Sequence, residues 1–193
     1  MPERLRRDFY TRPTLVVAKD LLGKYIVRKF RKRKIIGKIV EVEAYIGPKD
    51  KASHAYLGKI TKRNRAEFLI GGHIYIYLVY GMYWQLNIST YLENKPECVL
   101  IRALEPIEPK IFQGNKKIAN GPGKLCKFLK LNKSFYGEDL VKSKRIWLED
   151  WKDCIKKEEI VATSRIGIDY AGPYWSKIPW RFYLKNSPFI SRK

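Results

Sequence analysis

Histidine is nearly absent from this sequence, with two among 193 residues. Carboxylates are also scarce and scattered, nineteen Asp and Glu against forty Lys and Arg. A metal-dependent nuclease or phosphodiesterase needs such ligands in a cluster, so that class is disfavoured and no metal site is expected. Cysteine is equally thin. Cys98, Cys126 and Cys154 are widely spaced and odd in number, which supplies neither a disulfide framework nor a zinc-ligand pair. No apolar run is long enough to span a bilayer, and no basic amphipathic helix stands out. The first eight residues lack an apolar signal core. The expectation is a reduced, cytoplasmic protein with no membrane partner, drawn to the nucleoid if it binds DNA. There is no internal repeat and no low-complexity block.

What is abundant is positive charge. The formal net charge is +21, which repels itself and attracts polyanions, nucleic acid first among them. Thirteen Tyr and five Trp add rings able to stack on exposed bases. The length fits one domain, 1–193, with a substantial core.

The chain is organised around residues 38–45, Lys-Ile-Val-Glu-Val-Glu-Ala-Tyr. The β-branched residues read as a strand. Strict alternation places Val40, Val42 and Ala44 on one face and Ile39, Glu41, Glu43 and Tyr45 on the other. Either this is a half-exposed strand with a wet face, or two carboxylates and a phenol are aimed together for a purpose.

Upstream, residues 15–22 read as a helix with Leu15, Ala18 and Leu22 at helical spacing, Thr11 as N-cap and Gly23 as the stop. Residues 24–30 read as a strand, and the basic run 31–34 turns the chain back. Such a run is ordinarily just solvated. Downstream, Gly47-Pro48 breaks the central strand and opens a polar passage, 50–64, holding His54, Lys59, Thr61 and Arg63. Loops on a rigid scaffold often carry function, although an isolated loop histidine is usually inert. A helical turn or two is expected over 64–69. Residues 74–80 and 83–88 read as a hairpin, with Tyr75 and Tyr77 on one face and Gly81-Met82 at the turn. That turn is aromatic and apolar where Asn, Asp or Gly would be usual. It is either a wedge for a DNA stack or a hairpin packed in the core.

Residues 98–104 form a buried strand closed by Glu105-Pro106. Arg102 lies in its middle and needs a carboxylate partner; Glu41, Glu43 and Glu105 are the candidates. A partly helical stretch fills 107–121. Pro122 starts a helix running to residue 129, and late strands lie near 145–149, 160–165 and 180–184. The fold class is mixed α+β, a mainly antiparallel sheet packed by helices.

Several stretches, in order, carry a resemblance. They are IVEVEAYIGP at 39–48 with His54 downstream, TKRNR at 61–65, YIYLVYGMY at 75–83 with Asn87-Ile88, LIRALEP at 100–106, GPGKLC at 121–126, SRIG at 164–167 and RFY at 181–183. Together they resemble the alkyladenine (3-methyladenine) DNA glycosylases of the mammalian type, which also occur in bacteria. The resemblance runs from about Asp8 to Ser191. It implies a single domain with a curved antiparallel sheet, acting as a monomer on duplex DNA that contains damaged purines. It implies flipping of 3-methyladenine-like bases, with hypoxanthine and ethenoadenine as further candidates, and hydrolysis of the N-glycosidic bond. It implies a monofunctional enzyme with no metal and no organic cofactor. The family's catalytic glutamate falls on Glu43 and its water-positioning arginine on Arg102. Its base-contacting residues fall on Tyr45, His54, Tyr77 and Asn87. The intercalating tyrosine falls on Tyr80, with Met82 beside it at the tip. Lys59, Thr61 and Arg63 fall along the DNA backbone. Residues 89–97 form a slightly longer segment than in the mammalian proteins, and Lys62 stands where proline is common.

The residues fit such chemistry. Glycosidic cleavage passes through an oxocarbenium-like state. A carboxylate can activate the attacking water and offset that charge. Glu41 and Glu43 both qualify on residue type alone, and the resemblance selects Glu43. The acid needed for neutral lesions is not identifiable from the sequence. A basic RNA-binding domain without catalysis would also explain the charge and the aromatics, but it leaves Glu43, His54 and Arg102 without a purpose.

Overall fold

The computed structural model describes residues 2–192. In chain order the elements are β1 (Glu3–Arg4), α1 (Arg7–Tyr10), α2 (Thr14–Leu21), β2 (Tyr25–Phe30), β3 (Arg33–Ile46), β4 (Ile74–Val79), β5 (Tyr83–Ser89), β6 (Glu97–Glu108), α3 (Pro122–Phe128), β7 (Ile146–Asp150), β8 (Ile160–Thr163), α4 (Gly172–Lys177) and β9 (Arg181–Leu184). Every pairing is antiparallel, and the strands run β1-β7-β2-β3-β6-β5-β4. β9 lies along the second half of β3, beyond the stretch that β2 occupies, and carries β8 on its outer edge. The expected mixed fold with one mainly antiparallel sheet is what the chain forms.

The long strands β3 and β6 form the spine. Their apolar residues Ile39, Val42, Ala44, Val99, Ile101 and Leu104 enter the main core. α2 covers that core with Val17, Ala18 and Leu21, and α3 does so with Leu125, Cys126 and Phe128. β3 departs from strict alternation. Ile39 pairs with Leu104 and Glu41 with Ala103, so Val40 is an extra residue; Val42 then pairs with Ile101, so Arg102 is an extra residue on β6. A bulge re-aims side chains in this way. Ile39 therefore joins Val42 and Ala44 in the core, while Val40 packs with Ala103, Phe189 and Ile190. The alternation expected for 38–45 is corrected at that point. The wet-face reading also fails, since Glu41 and Glu43 are both 0% exposed.

Three further expectations are corrected. Pro13, not Thr11, is the N-cap of α2, and the buried helix face is Thr14, Val17, Ala18 and Leu21. Proline suits a helix start because its missing N–H is not needed there. Thr11 instead ends α1, its N–H donating to Arg7 O at 3.2 Å. Glu105-Pro106 does not close β6; the strand runs on to Glu108, with Pro106 opposite Gly37 where the register shifts. The ladder tolerates a proline at such an irregularity because its missing donor goes unused. Residues 107–121 hold only one short 3₁₀ turn, Lys110–Phe112. Gly23 stops α2 as expected, with φ +82.

The polar passage between β3 and β4 is anchored through Asn64, which is 1% exposed. Its Oδ1 accepts from Thr61 N–H at 2.7 Å and from the Thr61 hydroxyl at 3.0 Å; its Nδ2 donates to His54 O at 3.1 Å and Lys59 O at 2.8 Å. One amide therefore fixes three of the residues singled out in the sequence. The next loop is held by close approach: a Cβ on Gly71 would stand 2.4 Å from Tyr10 O, a backbone atom of α1. Gly71→Ala should destabilise the fold by about 1–3 kcal/mol, the usual cost of overpacking, read as a lower urea midpoint with an unchanged m-value.

Candidate active site

A cavity of about 410 Å³ opens on one side of β4, β5 and β6, a size ordinary for a small-molecule site. Its wall includes Tyr45 from β3, His54 and Arg63 from the polar passage, Tyr75 and Tyr77 from β4, Asn87 from β5, Arg102 from β6, and Ile166 to Ile168 and Tyr170 from the segment after β8. Six residues assigned to catalysis or base contact from the sequence were Glu43, Arg102, Tyr45, His54, Tyr77 and Asn87. Five of these line the cavity, and Glu43 lies just behind it.

Glu43 is gripped by wall residues. Its Oε1 accepts from Ile166 N–H at 2.7 Å and stands 3.2 Å from Arg102 Nη1; its Oε2 accepts from the Tyr45 hydroxyl at 2.8 Å. Burial, and then Glu43 itself, push the Tyr45 phenol well up, so this hydroxyl remains a donor. Glu41 is bound differently. It accepts from Arg102 Nε at 3.1 Å, Arg181 Nη1 at 2.9 Å, the Ser191 hydroxyl at 2.8 Å and Ser191 N–H at 2.5 Å. Both of its oxygens are committed, to Arg181 and Ser191 away from the cavity as well as to Arg102 on its wall. Of the three candidate partners for Arg102, the structure selects Glu41 and Glu43 together and leaves Glu105 out. Burial alone would lower the Arg102 guanidinium, but Glu43 and Glu41 more than offset this, so the net shift is upward.

The rest of the wall is aromatic and close-packed. The rings of Tyr75 and Tyr77 lie 5.1 Å apart, and His54 meets Tyr77 edge-on at 4.7 Å. His54 Nδ1 is 2.6 Å from the Tyr75 hydroxyl. His54 is exposed to the cavity, and partial burial against its neighbours, with Arg63 adding to it, pushes its imidazole down, so it is neutral near pH 7. Burial also pushes the Tyr75 phenol up, so it keeps its proton. With that proton in the shared bond, His54 Nε2 carries the ring hydrogen and is a donor. Asn87 is 2% exposed and donates from Nδ2 to Tyr75 O at 3.2 Å. Arg63 lies over the Tyr77 ring at 4.7 Å and donates to Leu78 O at 3.3 Å, which places it on the cavity rim. Thr61 is engaged inward by Asn64, whereas Lys59 is exposed.

Tyr80, at the cavity mouth, is 85% exposed and Met82 65%, so the tip of the hairpin is not packed in the core, although Ile74, Ile76, Leu86 and Ile88 of its strands are. Tyr80 and Gly81 take φ of +51 and +69, and Met82 N–H donates to Val79 O at 3.1 Å. The turn therefore centres on Tyr80-Gly81, one residue earlier than Gly81-Met82.

The sequence reading missed the pair behind Tyr45. Arg165 bonds Asp50 with both terminal nitrogens, at 2.5 and 2.9 Å, with both side chains fully buried. Its guanidinium lies 4.7 Å from the Tyr45 ring. Arg181 was also unassigned, although a cation inside an apolar strand is the same cue that marked Arg102.

Residues 8–188 match the methylpurine-DNA glycosylase family. The chain belongs to that family. A relative from Methanocella arvoryzae is 48% identical over 98% of this chain and 96% of its own length. One from Clostridium novyi is 47% identical over 99% of this chain and the whole of its own. One from Borrelia garinii subsp. bavariensis is 42% identical over 97% and 99%. Each bears the name "Putative 3-methyladenine DNA glycosylase". Membership brings the reaction class, hydrolysis of an N-glycosyl bond in DNA, to a chain whose cavity is lined by Tyr45, Tyr75, Tyr77 and Tyr170.

The two glutamates should separate cleanly on stability. Glu41→Ala leaves two buried guanidiniums short of a carboxylate, and breaking such a pair costs about 3–5 kcal/mol. Urea denaturation should register that loss.

Proposed function

We propose that this protein flips alkylated purines, 3-methyladenine among them, out of duplex DNA and hydrolyses their N-glycosidic bond to begin base excision repair. The single observation that carries the reading is the division of labour between the two buried carboxylates. Glu41 shares Arg102 but is otherwise bound by Arg181 and Ser191, which lie off the cavity wall, whereas Glu43 is held by Tyr45, Arg102 and Ile166, all three of them cavity-wall residues.

The duplex buries the glycosidic bond, so the target base must first leave the stack, at a cost of a few kcal/mol. Tyr80, exposed at the hairpin tip with Met82 beside it, fills the gap left behind. Tyr45 and Tyr77 accept the flipped base against their rings, where cation–π attraction favours a positively charged alkylated purine by roughly 0.5–2 kcal/mol. His54 offers a neutral hydrogen-bond donor to the ring edge. Asn87, fixed to the Tyr75 carbonyl, crowds an exocyclic group that an undamaged guanine would carry.

Chemistry then rests on Glu43. A water that replaces one of the Glu43 hydrogen bonds is deprotonated there as it attacks the sugar carbon, and Arg102 orients it. The carboxylate also offsets the oxocarbenium charge in a site of low dielectric, where such attraction is strong. Among the described residues, the cavity wall carries guanidinium groups but no lysine. This favours water over an amine as the attacking group, and hence a monofunctional enzyme. Neutral lesions such as hypoxanthine and ethenoadenine form a second proposed class.

Glu43→Gln should lower single-turnover release of 3-methyladenine from methylated duplex by about 10²–10⁴, the span of a lost general base, while lesion binding survives in a gel-shift titration. Near-normal turnover would move the role away from Glu43. Tyr80→Ala should leave the melting temperature almost unchanged, because the ring is exposed. It should weaken flipping roughly tenfold to a hundredfold, the equivalent of about 1–3 kcal/mol of stacking. Fluorescence of a 2-aminopurine beside the lesion reads this directly; unchanged flipping would end the wedge assignment.

A further inference from the structure

The basic run 31–34 is not spread over a flat surface. It forms the rim of a groove of about 520 Å³ that shares no lining residue with the cavity. The floor of the groove is apolar. Phe30 comes from β2, Ile35 from β3, Pro109 and Phe112 from the chain just after β6, and Phe128 from the end of α3. Ile35 and Phe128 belong to the main core, and Phe30 and Phe112 pack against it. The floor therefore lies on the sheet face opposite to the one that carries Glu43 and Tyr45. Arg31, Lys32, Arg33, Lys34 and Lys130 complete the lining, and no carboxylate does. Among the described residues none of these five cations has an ion-pair partner. Lys130 Nζ stands 4.2 Å from the centre of the Phe30 ring and the Arg31 guanidinium 5.6 Å, so both charges are held over the floor by a ring face. The turn that carries the run works against folding. Lys29 stands opposite Lys34, and like charges so placed repel. Arg31 takes φ +54, where glycine or asparagine would be unstrained. Repulsion and strain at one turn are costs without a return in stability.

We propose that this groove docks an acidic peptide segment of a partner protein, anchored by one large apolar side chain. The inference does not depend on the glycosylase reading. Charge complementarity sets the sign of the guest: five unpaired cations around one recess call for an anion. The floor sets its kind. Duplex DNA offers phosphates to the rim but no apolar side group to enter a recess, so it would leave the rings of Phe30, Phe112 and Phe128 wet. An acidic peptide with a phenylalanine or leucine satisfies both halves of the groove. Its anchor rests on the three rings, and its carboxylates meet Arg31, Arg33 and Lys130, the arginines offering two parallel donors each. A buried anchor carries most of the affinity of such a contact, and the charged rim governs approach and orientation. Because groove and cavity share no residue, the peptide and a bound duplex occupy the protein together.

The probe is a fluorescein-labelled, aspartate-rich peptide ending in Leu-Phe, titrated with the full chain at physiological salt and read by fluorescence anisotropy. A second peptide of the same charge ends in Ala-Ala. The first should bind saturably, and the second about thirtyfold more weakly, the scale of a lost anchor. Arg31→Asn combined with Arg33→Gln should weaken the Leu-Phe peptide by about tenfold, with slower association and a shallower dependence on salt. Both side chains are exposed, and asparagine suits the positive φ, so the melting temperature should hold or rise. If that variant melts early, Lys130→Gln, on α3's side of the groove, repeats the comparison. Affinity of the variant for undamaged duplex should change by less than about twofold. Failure of wild type to bind the Leu-Phe peptide overturns the proposal. Equal affinity for the two peptides also overturns it, because charge alone then explains binding to a chain of +21. So does an undiminished affinity in the rim variants, which places the peptide elsewhere. An equal loss of peptide and duplex binding overturns it as well and gives the groove to DNA.

Discussion

The carboxylate–guanidinium cluster of Glu41, Glu43, Arg102 and Arg181 is the constraint that the rest of the structure has to satisfy. Burying four charges in the middle of a sheet costs several kcal/mol per ion before any attraction is counted, and the cost is recovered only when every hydrogen-bonding position is filled. The fold fills them by converging three strands and the C-terminal segment on one point. β3 supplies the carboxylates, β6 and β9 supply the guanidiniums, and Ser191 closes Glu41 from the far side. The opposed irregularities at Val40 and Arg102 belong to the same solution. Without them, Ile39 would leave the core for the glutamate face, and the Arg102 side chain would be delivered one residue out of place.

A second layer of buried charge serves the same end. The Asp50–Arg165 pair ties the start of the polar passage to the segment after β8, and Arg165 also donates to Ala44 O at 3.0 Å. Tyr45 is thus backed by a guanidinium on one side and bonded to Glu43 at its hydroxyl. Its ring cannot swing without disturbing two ion pairs. Preorganisation of this kind keeps the Tyr45 ring and the Glu43 carboxylate in fixed relation before any ligand arrives. Outside, the balance of charge is the opposite. The chain carries +21 overall, while four of its scarce carboxylates, at positions 41, 43, 50 and 67, are withdrawn into the site and its supports. The surface is left free to attract a polyanion, and under the proposed function the interior stabilises a developing cation.

How far this was legible in the sequence depends on whether local pattern or long-range geometry sets the feature. β3, the hairpin of β4 and β5, and the buried character of β6 follow from β-branched runs, and the structure has them where periodicity puts them. The face assignment of Val40 failed because a bulge is decided by the partner strand, which local alternation does not see. Thr11 was misplaced because two short helices meet there, and residue type alone does not say which end it serves. Arg102 announced itself as a cation in an apolar strand, and its true partners were among the three carboxylates considered. Asp50 and Arg165 were not paired from the sequence: Asp50 sits in a polar loop, Arg165 lies 115 positions away at the end of an expected strand, and only the fold brings them together. Glu67 was hidden in the same way, an acidic residue in a charged stretch whose turn happens to face inward. The choice between Glu41 and Glu43 needed the hydrogen-bond partners of each, and Ser191 and Ile166, which decide it, act largely through backbone N–H groups that residue type does not reveal.

The hairpin tip shows a different kind of departure from local logic. A residue with φ near +50 is ordinarily glycine, asparagine or aspartate, because a Cβ is strained there. Tyr80 adopts that conformation with its ring 85% exposed. It meets neither a conformational preference nor a need for burial, and an Asn-Gly turn would serve folding better. Strain and exposed apolar surface at one residue are costs without a return in stability, and such costs collect where a function requires them. The neighbouring geometry agrees. Val79 and Tyr80 line the same cavity as Tyr77 and Asn87, so the tip and the pocket are two ends of one stiff ribbon. Under the proposed function, a ring pushed into a base stack at one end is then held at a fixed reach from the wall that would receive the displaced base at the other. The sheet transmits that distance, and the buried charges beneath β3 and β6 keep the sheet from yielding.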